Sequence, residues 1–337
     1  MSTLRMLVHL SKITGNARKA LDICRTLGID VMGVTKGACG APQIAQAMLR
    51  GGVKILGDAR LDNIMKMRNA GISAPLMLIR SPAPSEVADC IVYADGSFNG
   101  DIGVLRALSA KAVQSGKTHA VILMADLNTG REGFGPDELP DACREAATLK
   151  NLTLHGIGLY LDYRSQDDCV VETQRRFVAL AREIEKECGF RLPVISGGST
   201  NVFRRILKGK PVAGINQLRI GTAILLGLAS SIGPLRIEDF EQDAFVLEAA
   251  LIEVKRRNNR FIGILSLGTL DAPHEFLFPA SPHIRVIEAS SDHTIVDLTE
   301  LPCLPRTGDT ISFQLGYPAL SRFMASSYSR LEYREGH

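Results

Sequence analysis

The sequence predicts an α/β protein in which a TIM-type (β/α)8 barrel is followed by a C-terminal β domain. Between residues 11 and 230, eight short apolar runs alternate with helical patterns, and alternating units of this kind form parallel sheets. Eight such units close more naturally into a barrel than into an open sheet. After residue 230, short strand-like runs are separated by turn residues, a pattern typical of an all-β region.

The predicted domain boundaries follow from the same change of pattern. We place the barrel at residues 11–230 and the β domain at residues 231–337. An N-terminal strand within residues 1–10 precedes the barrel, and we expect it to pair with the β domain. The first barrel strand, at residues 31–35, ends directly at Lys36.

Composition excludes several classes of function. The net charge is +3, from 39 basic and 36 acidic residues, which does not suggest a nucleic-acid-binding protein. We find no apolar run long enough to cross a membrane and no signal peptide. The seven cysteines contain no CxxC pair, so we expect reduced thiols in a cytoplasmic protein and no metal site. The expected ligand is therefore a small molecule.

Polar side chains follow the predicted barrel strands, where a barrel of this class builds its active site. Each one alone has an ordinary structural explanation, such as a helix cap or a lysine that reaches solvent, but their joint occurrence favours a site. They are Lys36, Asp58, Arg80, Arg131, Tyr160, Ser196 and Arg219.

Two turns in this set predict a phosphate site. Ser196-Gly197-Gly198-Ser199-Thr200 follows the seventh strand, and Gly221-Thr222 follows the eighth. Barrels commonly hold phosphate at these two loops, where glycines let backbone N–H groups approach the anion. A lysine at a buried strand end is suited to Schiff-base chemistry. The combination points to pyridoxal 5'-phosphate.

The sequence resembles the alanine racemase superfamily of fold-type III pyridoxal-phosphate enzymes, and within it the ornithine racemase-type branch. The resemblance covers nearly the whole chain. It implies an amino-acid racemase, an isomerase that acts as a head-to-tail homodimer in which the partner's β domain closes the site. The segments that carry it are VTKGAC, MADLNTGREGFG, HGIGLYL, VISGGST, LRIGTAILLG, ASSDHTIVDL and GDTISFQLGYPAL.

The resemblance also implies roles for single residues. Lys36 matches the lysine that forms the Schiff base, and Arg131 matches an arginine that contacts the cofactor's phenolic oxygen or the substrate carboxylate. Arg219 matches the arginine that faces the pyridine nitrogen. Tyr160 falls where alanine racemases often place a histidine against the cofactor ring. The implied phosphate contacts are Ser196, Gly198, Ser199, Thr200, Gly221 and Thr222.

Racemisation needs a proton-transferring group on each face of Cα, and the second group is open. Alanine racemases use a tyrosine in a Gly-Tyr-x-Asp stretch, where this chain has Thr269. The candidates here are Cys39, His293, Tyr317 and Tyr328, since thiol, imidazole and phenol groups all transfer protons. Each also has an ordinary explanation, namely packing, capping of a turn or a dimer interface.

The substrate is an amino acid, and the resemblance suggests a side chain that is basic or longer than that of alanine. We predict substrate contacts at Arg80, Asp58 and Asp292. The carboxylate of Asp58, Asp292 or Glu275 could meet a distal ammonium. Two alternatives stay open. One is a non-catalytic pyridoxal-phosphate-binding homeostasis protein, although such proteins typically lack a second domain. The other is a related lyase or decarboxylase.

Overall fold

The computed structural model describes residues 3–127, 129–161, 167–231 and 233–335. It divides the chain into two compact units. One comprises residues 17–36 and 40–221, and the other comprises the described parts of residues 1–16, 37–39 and 222–337. The division at Gly221/Thr222 precedes the predicted boundary at residue 230, because the short helix after the last barrel strand groups with the C-terminal unit.

The strands within the described residues are β1 (Leu4–His9), β2 (Asp30–Val34), β3 (Ile55–Asp58), β4 (Leu76–Leu78), β5 (Gly96–Asn99), β6 (His119–Ala125), β7 (Leu152–Leu159), β8 (Val194–Ser199), β9 (Gln217–Ile220), β10 (Phe245–Arg257), β11 (Arg260–Leu265), β12 (Leu277–Pro279), β13 (Arg285–Ala289), β14 (Thr294–Asp297), β15 (Thr310–Leu315) and β16 (Leu331–Arg334).

The α-helices are α1 (Leu10–Arg25), α2 (Pro42–Arg50), α3 (Leu61–Asn69), α4 (Val87–Tyr93), α5 (Ile102–Gln114), α6 (Leu139–Thr148), α7 (Asp167–Cys188), α8 (Thr200–Leu207), α9 (Thr222–Leu226) and α10 (Tyr317–Ala325). No helix among the described residues combines the length and the apolar character that a membrane span needs.

Strands β2 to β9 form a closed parallel barrel, so the predicted (β/α)8 fold is confirmed. β9 closes it by pairing with β2, from Asp30 opposite Gln217 to Gly33 opposite Ile220. The strands read as continuous apolar runs because helices cover the outside and side chains fill the inside. The interior cluster consists of Met32, Met77, Phe98, Ile122, Met124 and Val194, with Ile55, Ile79 and Tyr160 packed against it.

One barrel strand differs from its prediction in a way that concerns the site. β8 continues through the glycines to Ser199, whereas we predicted a strand that ends at Ile195. Its pairing with β9 shifts register between Ser196 and Ser199. β8 has one residue more than β9 over this stretch, a β-bulge that bends the end of the strand and changes the direction of its side chains.

The C-terminal unit is an antiparallel sheet in the order β12-β15-β10-β11-β14-β13. β1 pairs with β10 and also runs parallel to β16, so the predicted pairing of the N-terminal strand with this region is confirmed. We did not predict α10. Its signal is present in the sequence, since Pro318 lies in its first turn and Ala319, Leu320, Phe323 and Met324 bury one face.

Candidate active site

Lys36 lies just beyond the C-terminal end of β2. The strand is buried from Val31 to Val34, Thr35 is fully buried, and Lys36 begins a single 3₁₀ turn through Ala38. The Lys36 side chain is exposed to solvent. The carboxyl ends of parallel strands meet at one edge of the barrel, so this position places an amine at the barrel mouth.

The surroundings of Lys36 lower the pKa of its ammonium group. Solvent reaches the side chain, yet protein encloses it on most sides, and this desolvation is the largest cause. The positive charges of Arg131 and Arg219 lower the pKa further, while Asp58 and Glu132 oppose the shift. Lys36 is therefore more readily deprotonated than an ordinary surface lysine, which suits a nucleophile or a base.

Asp58, the last residue of β3, stabilises this end of the barrel from a buried position. Its side chain is fully buried, and its carboxylate accepts hydrogen bonds from the Thr35 hydroxyl at 2.7 Å, the Arg60 amide at 2.9 Å and the Asn63 side chain at 2.9 Å. Burial raises the pKa of Asp58, and these donors oppose the rise. The geometry favours a structural role and does not support the predicted substrate contact.

Arg219 points its guanidinium across the buried end of β9. It donates to the Ser196 hydroxyl at 2.7 Å and to the Leu159 carbonyl at 2.7 Å, and its Cζ atom lies 5.2 Å from the centre of the Phe98 ring. Burial, with the charge of Arg131, lowers the pKa of Arg219 to about 10, so it stays protonated at neutral pH. Ser196 thus positions Arg219 in this structure.

The predicted phosphate turn is rigid and glycine-lined. Gly198 has φ of +137°, and a Cβ atom there would come within 2.5 Å of the Val202 side chain, so only glycine fits. The buried Gln174 side chain donates to the Gly197 carbonyl at 2.7 Å. Ser199 precedes α8 without its side chain capping the helix.

The second predicted phosphate turn links β9 to α9. A Cβ atom on Gly221 would lie 3.1 Å from the Val34 carbonyl oxygen, which places this turn beside the end of β2. Thr222 starts α9, and its hydroxyl lies 3.1 Å from that of Ser231. Assignment of Thr200, Gly221 and Thr222 to a phosphate stays a prediction.

Arg131 and Tyr160 are brought together beside the mouth. The Arg131 Cζ atom lies 3.7 Å from the centre of the Tyr160 ring, a cation–π contact. Arg131 also forms a two-pronged ion pair with Glu132, with distances of 2.8 and 2.6 Å. Sequence reasoning missed Glu132, because its neighbours in the sequence do not reveal that its charge acts on Lys36 and Arg219.

Arg80 follows β4, but its guanidinium is occupied. It donates to the carbonyls of Ala59 and Ser81 and to both carboxylate oxygens of Glu86, at 2.7 to 2.8 Å. The ion pair lowers the pKa of Glu86 to about 2. These contacts fix the loop after β4 and do not support the predicted contact with substrate.

Tyr317 lies against the turn that follows Lys36. A Cβ atom on Gly37 would come within 2.7 Å of the Tyr317 ring, so the ring and the turn are in close contact. Cys39, in the same turn, has φ of +49°, an uncommon conformation for a residue other than glycine. The structure therefore places Tyr317 against Gly37, in the same turn as Cys39, and the roles of Cys39 and Tyr317 stay predictions.

Asp292 and His293 lie in the exposed turn between β13 and β14. This turn is bonded to the segment that replaces the family's Gly-Tyr-x-Asp, since the Thr269 amide donates to the Ser290 carbonyl at 2.9 Å and the Leu270 amide to Ser291 at 3.1 Å. Asp292 lines an open cleft of the C-terminal unit, whose other walls include Leu270, Asp271, Arg322 and Tyr328.

Comparison with known proteins identifies the family. The profile of the alanine racemase N-terminal domain matches residues 8–228. The chain is 30% identical to a lysine racemase of Thermotoga maritima, over 96% of both chains. It is 29% identical to an ornithine racemase of Acetoanaerobium sticklandii, over 97% of this chain and 99% of that protein.

A solved structure shares the fold. The alanine racemase of Corynebacterium glutamicum superposes with a TM-score of 0.78 at 16% identity, covering 99% of this chain and 100% of that one. An identity this low supports the fold alone, but the family profile matches more than half of the chain and the two racemases match nearly all of it. The chain belongs to the alanine racemase family.

Proposed function

We propose that the protein is a pyridoxal-phosphate-dependent racemase that interconverts the L and D forms of a basic amino acid, with lysine and ornithine as the first substrates to test. The observation that carries this proposal is the position of Lys36 directly after β2 at the barrel mouth, where the charges of Arg131 and Arg219 act on its amine. The similarity to lysine and ornithine racemases over nearly the full chain supports the substrate class.

The residues at the mouth fit the proposed cofactor. Lys36 offers an amine to an aldehyde. The turn at Gly197 and Gly198 carries no side chains, since Cβ atoms there would meet Ile215 and Val202, and such glycines leave backbone N–H groups open to an anion. Arg131 and Arg219 supply positive charge for an anion. Ser199, Thr200, Gly221 and Thr222 would complete the phosphate contacts. Bound pyridoxal phosphate would supply the electron withdrawal that acidifies the Cα–H bond of an attached amino acid.

The chain's own groups then hold and move the proton. Lys36 lies at the barrel mouth with a lowered pKa, and it would take or return a proton on one face of Cα. Arg219 stays protonated, so it can donate a hydrogen bond but cannot give a full proton to a ring nitrogen held against it. That arrangement limits electron withdrawal and favours brief deprotonation over transamination.

The candidates for the group that serves the other face are the four predicted residues Cys39, His293, Tyr317 and Tyr328. Each is tested by replacement with alanine, followed by the rate of α-proton exchange with solvent deuterium, measured separately from the L and the D enantiomer. Loss of the group on one face slows proton transfer on that face, so incorporation of solvent deuterium from one enantiomer is affected more than from the other. Because the equilibrium constant of a racemisation is one, kcat/KM falls equally in both directions in any variant. A variant that slows α-proton exchange equally from both enantiomers therefore acts through positioning.

We further propose a cytoplasmic homodimer, as the family resemblance implies. The seven cysteines all lie within the described residues and form no disulfide there, which supports a reducing compartment. Sedimentation of the protein at several concentrations tests the dimer. A monomer at all concentrations that still racemises amino acids would contradict it.

Two experiments test the function. The purified protein with pyridoxal phosphate should show a visible absorbance band that borohydride removes and that the Lys36→Ala variant lacks. In deuterium oxide it should exchange the α-proton of lysine or ornithine and produce the opposite enantiomer. Binding of the cofactor without exchange from lysine, ornithine, alanine or serine would instead support a homeostasis protein. Release of carbon dioxide or ammonia without enantiomer exchange would support a lyase or decarboxylase.

A further inference from the structure

The loop after β6 holds Glu132 in a fixed place beside the mouth. The Phe134 amide donates to the Met124 carbonyl at 2.8 Å, and the Asp126 amide donates to the Phe134 carbonyl at 2.9 Å. Asp126 in turn accepts from the amide and hydroxyl of Thr129, both at 2.7 Å. These hydrogen bonds join the two ends of the loop and fix its first turn, so they restrain the segment that contains Arg131 and Glu132.

Glu132 is surrounded by cations. It pairs with Arg131 through both carboxylate oxygens, and its charge also acts on Arg219 and Lys36. Burial alone would raise the pKa of Glu132, but Arg131 more than offsets this, and the pKa is lowered. The other carboxylate that acts on Lys36, that of Asp58, is fully buried and already accepts three hydrogen bonds. Of the two carboxylates in the described residues that act on Lys36, Glu132 is therefore the accessible one, with 31% of its side chain exposed.

An amino acid that enters this site competes for Arg131. Its α-carboxylate is the natural partner of an arginine that lies beside the nucleophilic lysine. Glu132 would then lose its counter-charge while still half-buried, and an unpaired, partly desolvated carboxylate is costly. A substrate with a second, distal ammonium group gives Glu132 a new partner. The Arg131–Glu132 pair is then replaced by two ion pairs, one between Arg131 and the substrate carboxylate and one between Glu132 and the distal ammonium. A substrate with an apolar side chain leaves Glu132 unpaired.

We propose that Glu132 is the residue that selects amino acids with a cationic side chain, by accepting the distal ammonium when the substrate carboxylate takes Arg131 from it. This inference rests on the proposed racemase function and names the determinant of its substrate class. It predicts a preference for lysine over norleucine, which has the same carbon chain without the amine. Since the pair is partly exposed, its contribution is limited, and we expect a preference of about three- to tenfold in kcat/KM.

The test compares three variants of the cofactor-loaded enzyme with lysine and norleucine. Glu132→Gln removes the charge and keeps the shape, so the preference for lysine should fall by about three- to tenfold, mainly through KM. Glu132→Asp keeps the charge and should retain most of the preference. Glu145→Gln is the matched control, since Glu145 forms a similar two-pronged pair with Arg106, with distances of 2.6 and 3.0 Å, between α5 and α6. That variant should keep the wild-type preference.

Two results would overturn the inference. One is a wild-type enzyme that racemises lysine and norleucine equally well, and the other is a Glu132→Gln variant whose preference matches the wild type. If Glu132→Gln is inactive with both substrates, titration of the loaded protein, followed by cofactor absorbance, gives the ratio of Kd values for lysine and norleucine. An unchanged ratio would also overturn the inference. A wild type that racemises no amino acid contradicts the proposed function itself, so the two failures are distinguishable.

Discussion

Arg80 and Arg131 both follow barrel strands, and both form two-pronged ion pairs with a glutamate of their own loop, but their surroundings differ. Arg80 also donates to two backbone carbonyls, so its contacts are local and hold one loop in place. Arg131 rests on the Tyr160 ring and acts electrostatically on Lys36 and Arg219. A charged residue at a strand end therefore takes part in the site only when its partners leave it available to a ligand.

Replacement of Lys36 with alanine should have the largest effect. The proposed covalent and proton-transfer chemistry depends on its amine, so racemisation should fall by about 1000-fold or more. The free energy of unfolding should change by less than about 0.5 kcal/mol, because the side chain is exposed. The matched control is Lys111→Ala on the outer helix α5, which should leave the rate unchanged. A Lys36→Ala enzyme with normal turnover would remove Lys36 from the site.

Replacement of Arg131 with alanine tests the mouth side of the comparison. We expect kcat/KM to fall by about 10- to 100-fold, because a charge-assisted contact with the substrate carboxylate is lost. The effect on urea unfolding should be small, since 44% of the Arg131 side chain is exposed. Steady-state kinetics and unfolding curves on the same preparation separate the two effects. A large loss of stability at unchanged kcat/KM would reverse the roles assigned to Arg131 and Arg80.

Replacement of Arg80 with alanine should show the opposite pattern. It leaves Glu86 and two carbonyls without their donor, so the free energy of unfolding should fall by about 1–2 kcal/mol. The kcat/KM of the folded enzyme should change by less than about threefold. A double-mutant cycle with Glu86→Ala measures how much of the loss belongs to the ion pair. A large increase in KM in the Arg80→Ala variant would instead indicate that Arg80 contacts the substrate.

The smallest effect on racemisation at neutral pH is expected from replacement of His119, which lies at the opposite end of β6 from the mouth. This histidine is buried, its Nε2 atom lies 2.9 Å from the Ser97 hydroxyl, and burial lowers its pKa to about 4. The unfolded chain binds this proton more readily, so the stability it contributes is present above about pH 6.5 and is lost as pH falls towards 4. Relative to His119→Gln, the wild type should lose about 2 kcal/mol more across that window in urea unfolding. Equal losses in the two proteins would contradict the assignment.

Much of this arrangement could be predicted from the sequence. The alternation of strands and helices gives the barrel, and Lys36, Arg131 and Arg219 are found because strand ends of a parallel barrel converge. The structural roles of Arg80 and Asp58 could not be told from the sequence. Arg80 meets Glu86, and Asp58 meets Asn63, only once the loops are folded. Glu132 was missed for a related reason, since its effect on Lys36 depends on how the loop after β6 closes.

The most direct test of the central claim is a pair of progress curves for the cofactor-loaded protein in deuterium oxide, one from L-lysine and one from D-lysine, followed by chiral chromatography and mass spectrometry. A racemase brings both curves to equal amounts of the two enantiomers, with deuterium at Cα of the product. The same experiment with ornithine serves as the repeat in the substrate class. Curves that remain at a single enantiomer for both amino acids, with no deuterium gained although the cofactor is bound, would contradict the account.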